Sequence, residues 1–183
     1  MKILWVSFFI ITLDRLSKTL IKHYLDLHES ILVIGPDFFR LSYIENFGIV
    51  FGWSFGNIFL RNAFTIIAVI LLLFYFYNQR QAPIIIRFPL ALIIGGALGN
   101  LWDRLVYGSV IDFLDFDFPN FIHERFPVFN IADSSITTGM TILVIYIVFF
   151  DKHRKTISLE VKDDIAAGGD INNSFSASKE GTD

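Results

Sequence analysis

The chain has 183 residues, of which 54% are apolar, 16% aromatic and 18% charged, with 21 Phe, no Cys and a formal net charge of −3. An average soluble domain is about 45–50% apolar and about 25% charged, and a chain this short cannot hide so much apolar surface, so a soluble globular fold is disfavoured. Having no Cys excludes a disulfide scaffold, a Cys zinc site, an iron–sulfur protein and a Cys-nucleophile enzyme. In chain order, the first membrane-length stretch is residues 3–20. It reads as a span and not a cleaved signal peptide, because Asp14-Arg15 interrupts it and no small-x-small cleavage site follows. Next comes a loop, residues 23–57, in which Ile31-Leu32-Val33-Ile34 and Phe38–Ile44 flank Gly35-Pro36. Short β-rich runs around a Gly-Pro break predict a small hairpin or sheet lying on the membrane surface. Residues 58–77, 84–102 and 131–150 are three further spans, and the loop 105–130 between the last two is rich in Asp, Phe and Pro.

Lys and Arg fix the orientation. With the N-terminus inside, the inner segments carry Lys2, Arg80, Arg87, Lys152, Arg154 and Lys155, whereas the two long outer loops carry only Arg40 and Arg125. The expected architecture is therefore a membrane all-α protein with a small β element, four transmembrane helices and both termini cytoplasmic. Trp53, Trp102 and Tyr107 fall at the predicted outer interface. Residues 1–155 form the transmembrane domain with a net charge of +1, and residues 156–183 are an acidic Gly/Ser/Asn/Asp-rich tail, net −4, that reads as disordered. No basic patch with interleaved aromatics supports nucleic-acid binding. The default assembly is a monomer, since the one Gly-x-x-x-Gly pattern, Gly95–Gly99, is claimed equally by internal packing.

Polar residues gather at one depth: Asp14 and Lys18 in the first span, Asn46 and Gly48 before the second, Asn100, Asp103 and Arg104 ending the third, then Asp112, Asn130 and Asp133. Ionisable groups in a span cost about 2.5–3.5 kcal/mol each at its centre, so their convergence points to a site. Each also has a structural reading. Asp14 and Lys18, four apart, can pair on one helix face, and Gly95-Gly96-Ala97 can serve helix packing. Asp133 can be a helix N-terminal acid. His23, His28, His123 and His153 lack metal-ligand spacing and read as surface residues, and Asp115 and Asp117 read as acids that keep a Phe-rich loop solvated. Asp112 and Asp133 lie 21 residues apart at the two ends of one loop. Two carboxylates sharing a site retain one proton between them, so the ionised one can activate water while the protonated one polarises a carbonyl. No metal or other cofactor is called for.

Five blocks in order carry a resemblance: Asp14-Arg15-Leu16-Ser17-Lys18, Asn46-Phe47-Gly48-Ile49-Val50-Phe51-Gly52, Gly95 through Arg104, Val110-Ile111-Asp112-Phe113 and Phe129-Asn130-Ile131-Ala132-Asp133-Ser134. Together they resemble the bacterial lipoprotein signal peptidases, signal peptidase II. The resemblance implies an inner-membrane aspartic endopeptidase, with its site at the outer, periplasmic face. Its substrates would be diacylglyceryl-modified prolipoproteins, cut just before the lipidated Cys, and globomycin-type inhibitors would block it. It further implies that Asp112 and Asp133 are the catalytic dyad. Asn46, Gly48, Asn100, Asp103, Arg104, Asn130 and Ala132 fall on the active-site surround, with Asp14 and Lys18 on the first-helix polar motif. Arg15 stands where the family usually has Gln, and Ile49-Val50 where it usually has two Ala. The competing reading from the residues alone, a small transporter or proton-conducting protein, needs polar residues through both membrane halves. Residues 71–76 and 143–150 are nearly all apolar.

Overall fold

The computed structural model describes residues 2–35, 37–50, 53–54, 58–117 and 125–151. The tail 156–183, His123, His153, Lys152, Arg154 and Lys155 lie outside the described residues. Helix α1 (Leu4–Tyr24) is followed by strands β1 (Ser30–Ile34) and β2 (Phe39–Asn46), then the two-residue strands β3 (Ile49–Val50) and β4 (Trp53–Ser54). Helices α2 (Ile58–Asn78) and α3 (Ile84–Val106) come next, then strand β5 (Val110–Phe116) and helix α4 (Ile131–Tyr146), which runs into a π-helical turn (Ile147–Asp151). The chain divides into two compact units, residues 1–143 and 144–183. The sheet and the packed helices described below belong to the first; in the second, Tyr146 and Phe150 stack within the helical end.

Among the described residues, three helices are long and apolar enough to cross a bilayer: Ile58–Asn78, Ile84–Val106 and Ile131–Phe150. Helix α1 has the length, 21 residues, or about 31 Å at about 1.5 Å per residue. Asp14, Arg15, Lys18 and Lys22 take it out of the apolar class, so by composition the structure meets three of the four expected spans. It also runs past residue 20 to Tyr24, which places His23 on the helix and not in the loop. Likewise α3 continues past Trp102 to Val106, because nothing in Asp103-Arg104-Leu105-Val106 breaks a helix. Its end comes at Gly108, whose positive φ of 77° supplies the left-handed residue just past the helix.

Helix α3 is the centre of the bundle. Half of its apolar window is buried, against 11% for α2, whose Phe64, Ile70, Leu71 and Phe74 stay more than half exposed and form an apolar outer face. Its glycines permit close approach. A Cβ on Gly95 would lie 2.9 Å from Ile10 Cβ and 3.0 Å from the Ser7 carbonyl oxygen of α1, and one on Gly96 would lie 2.3 Å from the Ala132 carbonyl oxygen of α4. Where the sequence left these glycines between packing and site, the structure assigns them to packing. Gly96→Ala is therefore expected to force α3 and α4 apart and cost about 1–3 kcal/mol, read as a lowered thermal midpoint in detergent; an unchanged midpoint would disprove the close packing.

The sheet is antiparallel in the order β1-β2-β5. The hairpin expected in the first loop is present as β1 paired with β2. The third strand differs from expectation: residues 110–116 fall in the loop 105–130 between two spans, yet they pair with β2 along its length, with Asn46 opposite Val110 and Ile44 opposite Asp112. The reason lies in Val110-Ile111-Asp112-Phe113-Leu114-Asp115-Phe116, a strand-length run rich in β-branched and aromatic residues. Asp115 is a correction. It does not solvate a loop but is 6% exposed, accepting from Ser42 Oγ at 2.8 Å and from Arg125 Nε at 3.0 Å. Asp117 also pairs with Arg125, at 3.2 Å. A small core of Ile21, Leu25, Tyr43, Ile111 and Phe113 joins the end of α1 to the sheet. In β1, Ile31, Leu32, Val33 and Ile34 are each about half exposed.

Candidate active site

Asp112 sits on β5 and Asp133 in the first turn of α4, and the segment between them is drawn back onto the sheet. Phe113 and Leu114 both donate their backbone N–H to the Phe129 carbonyl, at 3.0 and 2.7 Å, and Phe129 N–H returns to the Leu114 carbonyl at 3.1 Å. That tether brings Asn130 beside Asp112. Asn130, fully buried, then opens α4 with a reciprocal cap: Asp133 N–H donates to Asn130 Oδ1 at 2.9 Å, and Asn130 N–H donates to Asp133 Oδ2 at 3.3 Å. This is the capping-box arrangement in an Asn-x-x-Asp version, which the sequence displays and the reading of Asp133 as a simple dipole acid did not use.

The cap dictates how the Asn130 amide points. Its oxygen is claimed by an N–H, so its NH2 faces the other way and donates to Asp112 Oδ1 at 2.6 Å. Asp112 Oδ2 accepts from Asn46 Nδ2 at 3.0 Å, and Asn46 is oriented in turn by Gly48 N–H, which donates to its Oδ1 at 2.8 Å. On the other carboxylate, Asn100 Nδ2 donates to Asp133 Oδ1 at 2.7 Å. Asn100 has no freedom to flip, because its Oδ1 accepts from Lys18 Nζ at 3.0 Å and an ammonium can only donate.

Lys18 is the hub behind this layer. With no exposed surface, its ammonium donates to Asn100 and to Asp14 Oδ2, the latter at 2.7 Å, and forms an ion pair with Asp103 Oδ2 at 2.7 Å. Asp14 Oδ1 accepts from Ala132 N–H at 3.0 Å, which ties α1 to the start of α4. Asp103 also pairs with Arg15, whose other amino group donates to Tyr107 Oη at 3.1 Å. Two cations and two carboxylates thus balance inside the bundle, which is how such groups survive burial. Arg104 makes no hydrogen bond through its Nε among the described residues, and its charge acts on Asp133, Asp112 and Asp103.

Every candidate site residue from the sequence is thus drawn into one connected constellation, by hydrogen bonds for all but Asp103, which joins through its ion pair with Lys18, and Arg104. Burial pushes the Asp112 carboxyl up to about 6, the Asp133 charge pushes the same way, and the Asn46 and Asn130 donors oppose it. A groove of about 410 Å³ reaches Asp133 from outside, between Phe126–Phe129 and Ser134, Thr137 and Thr138 of α4. The sequence reading missed Arg61 on α2, which is 7% exposed and donates to the carbonyls of Phe47 and Gly108. A lone Arg near the start of the most apolar helix was the available signal.

Membrane-length apolar helices around a buried polar site, capped by a small sheet, define the chain as an integral membrane protein. The family model for signal peptidase II matches residues 6–149, and the chain belongs to that family. It is similar to the lipoprotein signal peptidase of Clostridium tetani, 40% identical over 75% of this chain and 86% of that protein. Against that of Halothermothrix orenii it is 39% identical over 78% and 92%. A solved structure of a bacterial membrane enzyme, 31% identical, superposes with a TM-score of 0.72 over 80% of this chain and 87% of that one. The chain is therefore a bacterial integral membrane peptidase whose family removes signal peptides from lipoproteins.

Proposed function

We propose that this chain is an aspartic endopeptidase that cuts diacylglyceryl-modified prolipoproteins before the lipidated Cys, with Asp112 and Asp133 as its dyad. The observation that carries the reading is the shared Asn130, whose amide serves one carboxylate while its backbone and cap serve the other. Asp112, raised to about 6, holds the shared proton. Asp133, oriented by two N–H donors, takes a proton from water as that water attacks the scissile carbonyl. The Asp112 proton goes to the carbonyl oxygen, so the intermediate is a neutral gem-diol. When that intermediate collapses, the proton on Asp133 passes to the leaving nitrogen and one gem-diol hydroxyl returns its proton to Asp112, which restores the dyad. The titration belongs to the pair.

In this reading α1 is the fourth span, its charges shielded by α3, both termini are cytoplasmic and the site opens at the outer face of the inner membrane. The apolar groove beside Asp133 and the exposed face of α2 suit an acylated substrate that arrives from within the bilayer. The half-exposed Ile31–Ile34 run would rest β1 on the membrane surface. Residues 1–155 would carry the activity, with the acidic tail 156–183 as an appendage.

The test gives purified protein in detergent a diacylated prolipoprotein and its unlipidated form, each with and without EDTA, and follows processing by gel shift. Cleavage of the lipidated form alone, unaffected by EDTA and stopped by globomycin, is the expected result. Equal cleavage of both forms, or loss to EDTA, would overturn it. The proton on Asp112 also sets a pH dependence. As pH rises through about 6 the free protein loses that proton, so kcat/KM falls on an alkaline limb. The corresponding limb for kcat lies at higher pH, because bound substrate excludes water and disfavours the second charge. A kcat/KM that rises through this range would contradict the assignment of the proton.

A further inference from the structure

Helix α2 has the highest mean hydropathy of the three apolar spans, 2.2, yet of the two residues it buries one is an arginine, Arg61 in its first turn. A guanidinium placed there has to be fully occupied to be tolerated. One amino group donates to the Phe47 carbonyl and the other donates to the Gly108 carbonyl at 2.8 Å. Phe47 follows the last residue of β2, and Gly108 lies two residues before the first of β5. These two strand ends are held opposite each other by the Asn46–Val110 pair. Arg61 therefore staples the end of the hairpin where Asn46 leaves the sheet and where the strand bearing Asp112 begins.

The fit extends to Gly48. Its φ is +87°, and a Cβ there would lie 2.6 Å from Arg61 Cδ, so the arginine stem packs directly beneath this turn. Gly48 N–H is the group that orients Asn46, and Asn46 Nδ2 is one of the two side-chain donors to Asp112. The path from Arg61 to the dyad thus runs through one carbonyl, one turn and one amide. It also places a second cation near Arg104, whose charge it opposes. That cost is offset by the two carbonyl contacts and by longer donations from Nε and the second amino group to Asn62 Oδ1, at 3.4 and 3.3 Å. A planar fork of donors can span both carbonyls where a lysine ammonium on a flexible stem cannot hold the same geometry.

We infer that Arg61 is a positioning residue for the reaction: by clamping the Phe47 and Gly108 carbonyls it holds the Asn46 amide against Asp112. The inference rests on the dyad reading above, and its test separates the two. Arg61→Gln and Arg61→Lys are purified in detergent and assayed on the diacylated prolipoprotein for kcat and KM across pH, with thermal midpoints measured alongside. A misplacement of about 1 Å costs about 100-fold, so kcat is expected to fall about 100-fold in Arg61→Gln and about tenfold in Arg61→Lys, with KM changed by less than about threefold. The Asn46 bond favours the ionised carboxylate, so its loss raises the Asp112 pKa and moves the alkaline limb of kcat/KM to higher pH. In the Asn46→Ala background, the Arg61 substitution should add less than about twofold, because both act on one contact.

An unmoved pH profile, or effects of Arg61 and Asn46 that multiply, would reduce Arg61 to a packing role and overturn the inference. Should Arg61→Gln fail to fold, Arg61→Lys, which keeps the charge, decides by the same two readouts. If Asp112→Asn is active, the dyad reading fails, and the coupling of Arg61 to Asn46 is still measured.

Discussion

Asp112→Asn is expected to lower turnover at least about 1,000-fold while leaving the protein folded, and Asp133→Asn to do the same; the size is that of losing a positioned acid or base. The two substitutions fail for different reasons. At Asp112 an amide cannot deliver a proton to the scissile carbonyl oxygen. At Asp133 it cannot take one from water. Each also turns an NH2 toward an existing donor, since both Asp112 oxygens and both Asp133 oxygens accept hydrogen bonds. Some stability is lost with that clash, so Asp112→Ala and Asp133→Ala, which remove it, belong in the same series. Inactivity with thermal midpoints close to the parent's assigns the loss to chemistry. Processing by either Asn variant at a tenth of the parent rate would sink the dyad.

The largest expected effect on stability falls at Lys18. Lys18→Met removes the ammonium that faces Asp14 and Asp103, two carboxylates with no exposed surface. Arg15 remains on Asp103, but among the described residues the Asp14 carboxylate is left with the Ala132 N–H. Removing one partner of a buried pair costs about 3–5 kcal/mol, because the other charge stays uncompensated. In detergent this should appear as a fall in thermal midpoint of about 10 °C or more. Asp14→Asn together with Lys18→Met should cost less than the two single losses combined, since the double variant buries no orphan charge from that pair. Turnover should fall as well: without Lys18 the Asn100 oxygen keeps the longer donation from Asn130 Nδ2 at 3.3 Å, which holds its amide less firmly against Asp133. A variant with an unchanged midpoint and full turnover would show that the network neither stabilises the bundle nor orients Asn100.

Much of this site is legible before any coordinates. Asp14 and Lys18 four apart, the Gly95–Gly99 run and the pair Asp112 and Asp133 are all visible as residues that do not belong in a greasy chain. What misleads is reading acids by local polarity. Asp115 is buried because Arg125 and Ser42, ten and 73 residues away, come to meet it, and nothing near it in sequence announces either partner. The same holds for residues 110–116, whose acids suggest loop until β2 is there to pair with them. Arg61 is the reverse case: local hydropathy hides it, since a single cation barely lowers the apolarity of α2.

Hydropathy patterning suffices to mark the chain as a membrane protein, to locate its apolar helices and to single out its scarce polar residues. Hydropathy and helix period are local properties and are written residue by residue. That α3 is the central helix, that residues 110–116 complete a sheet, that Asn130 joins the two carboxylates and that Arg61 is buried are outcomes of the packed fold. Those outcomes depend on contacts between groups 14 to 118 residues apart, as between Arg61 and Phe47 or Asp14 and Ala132. The direction in which each buried amide points is fixed by which neighbour can only donate. That constraint exists once the chain has closed on itself and not before.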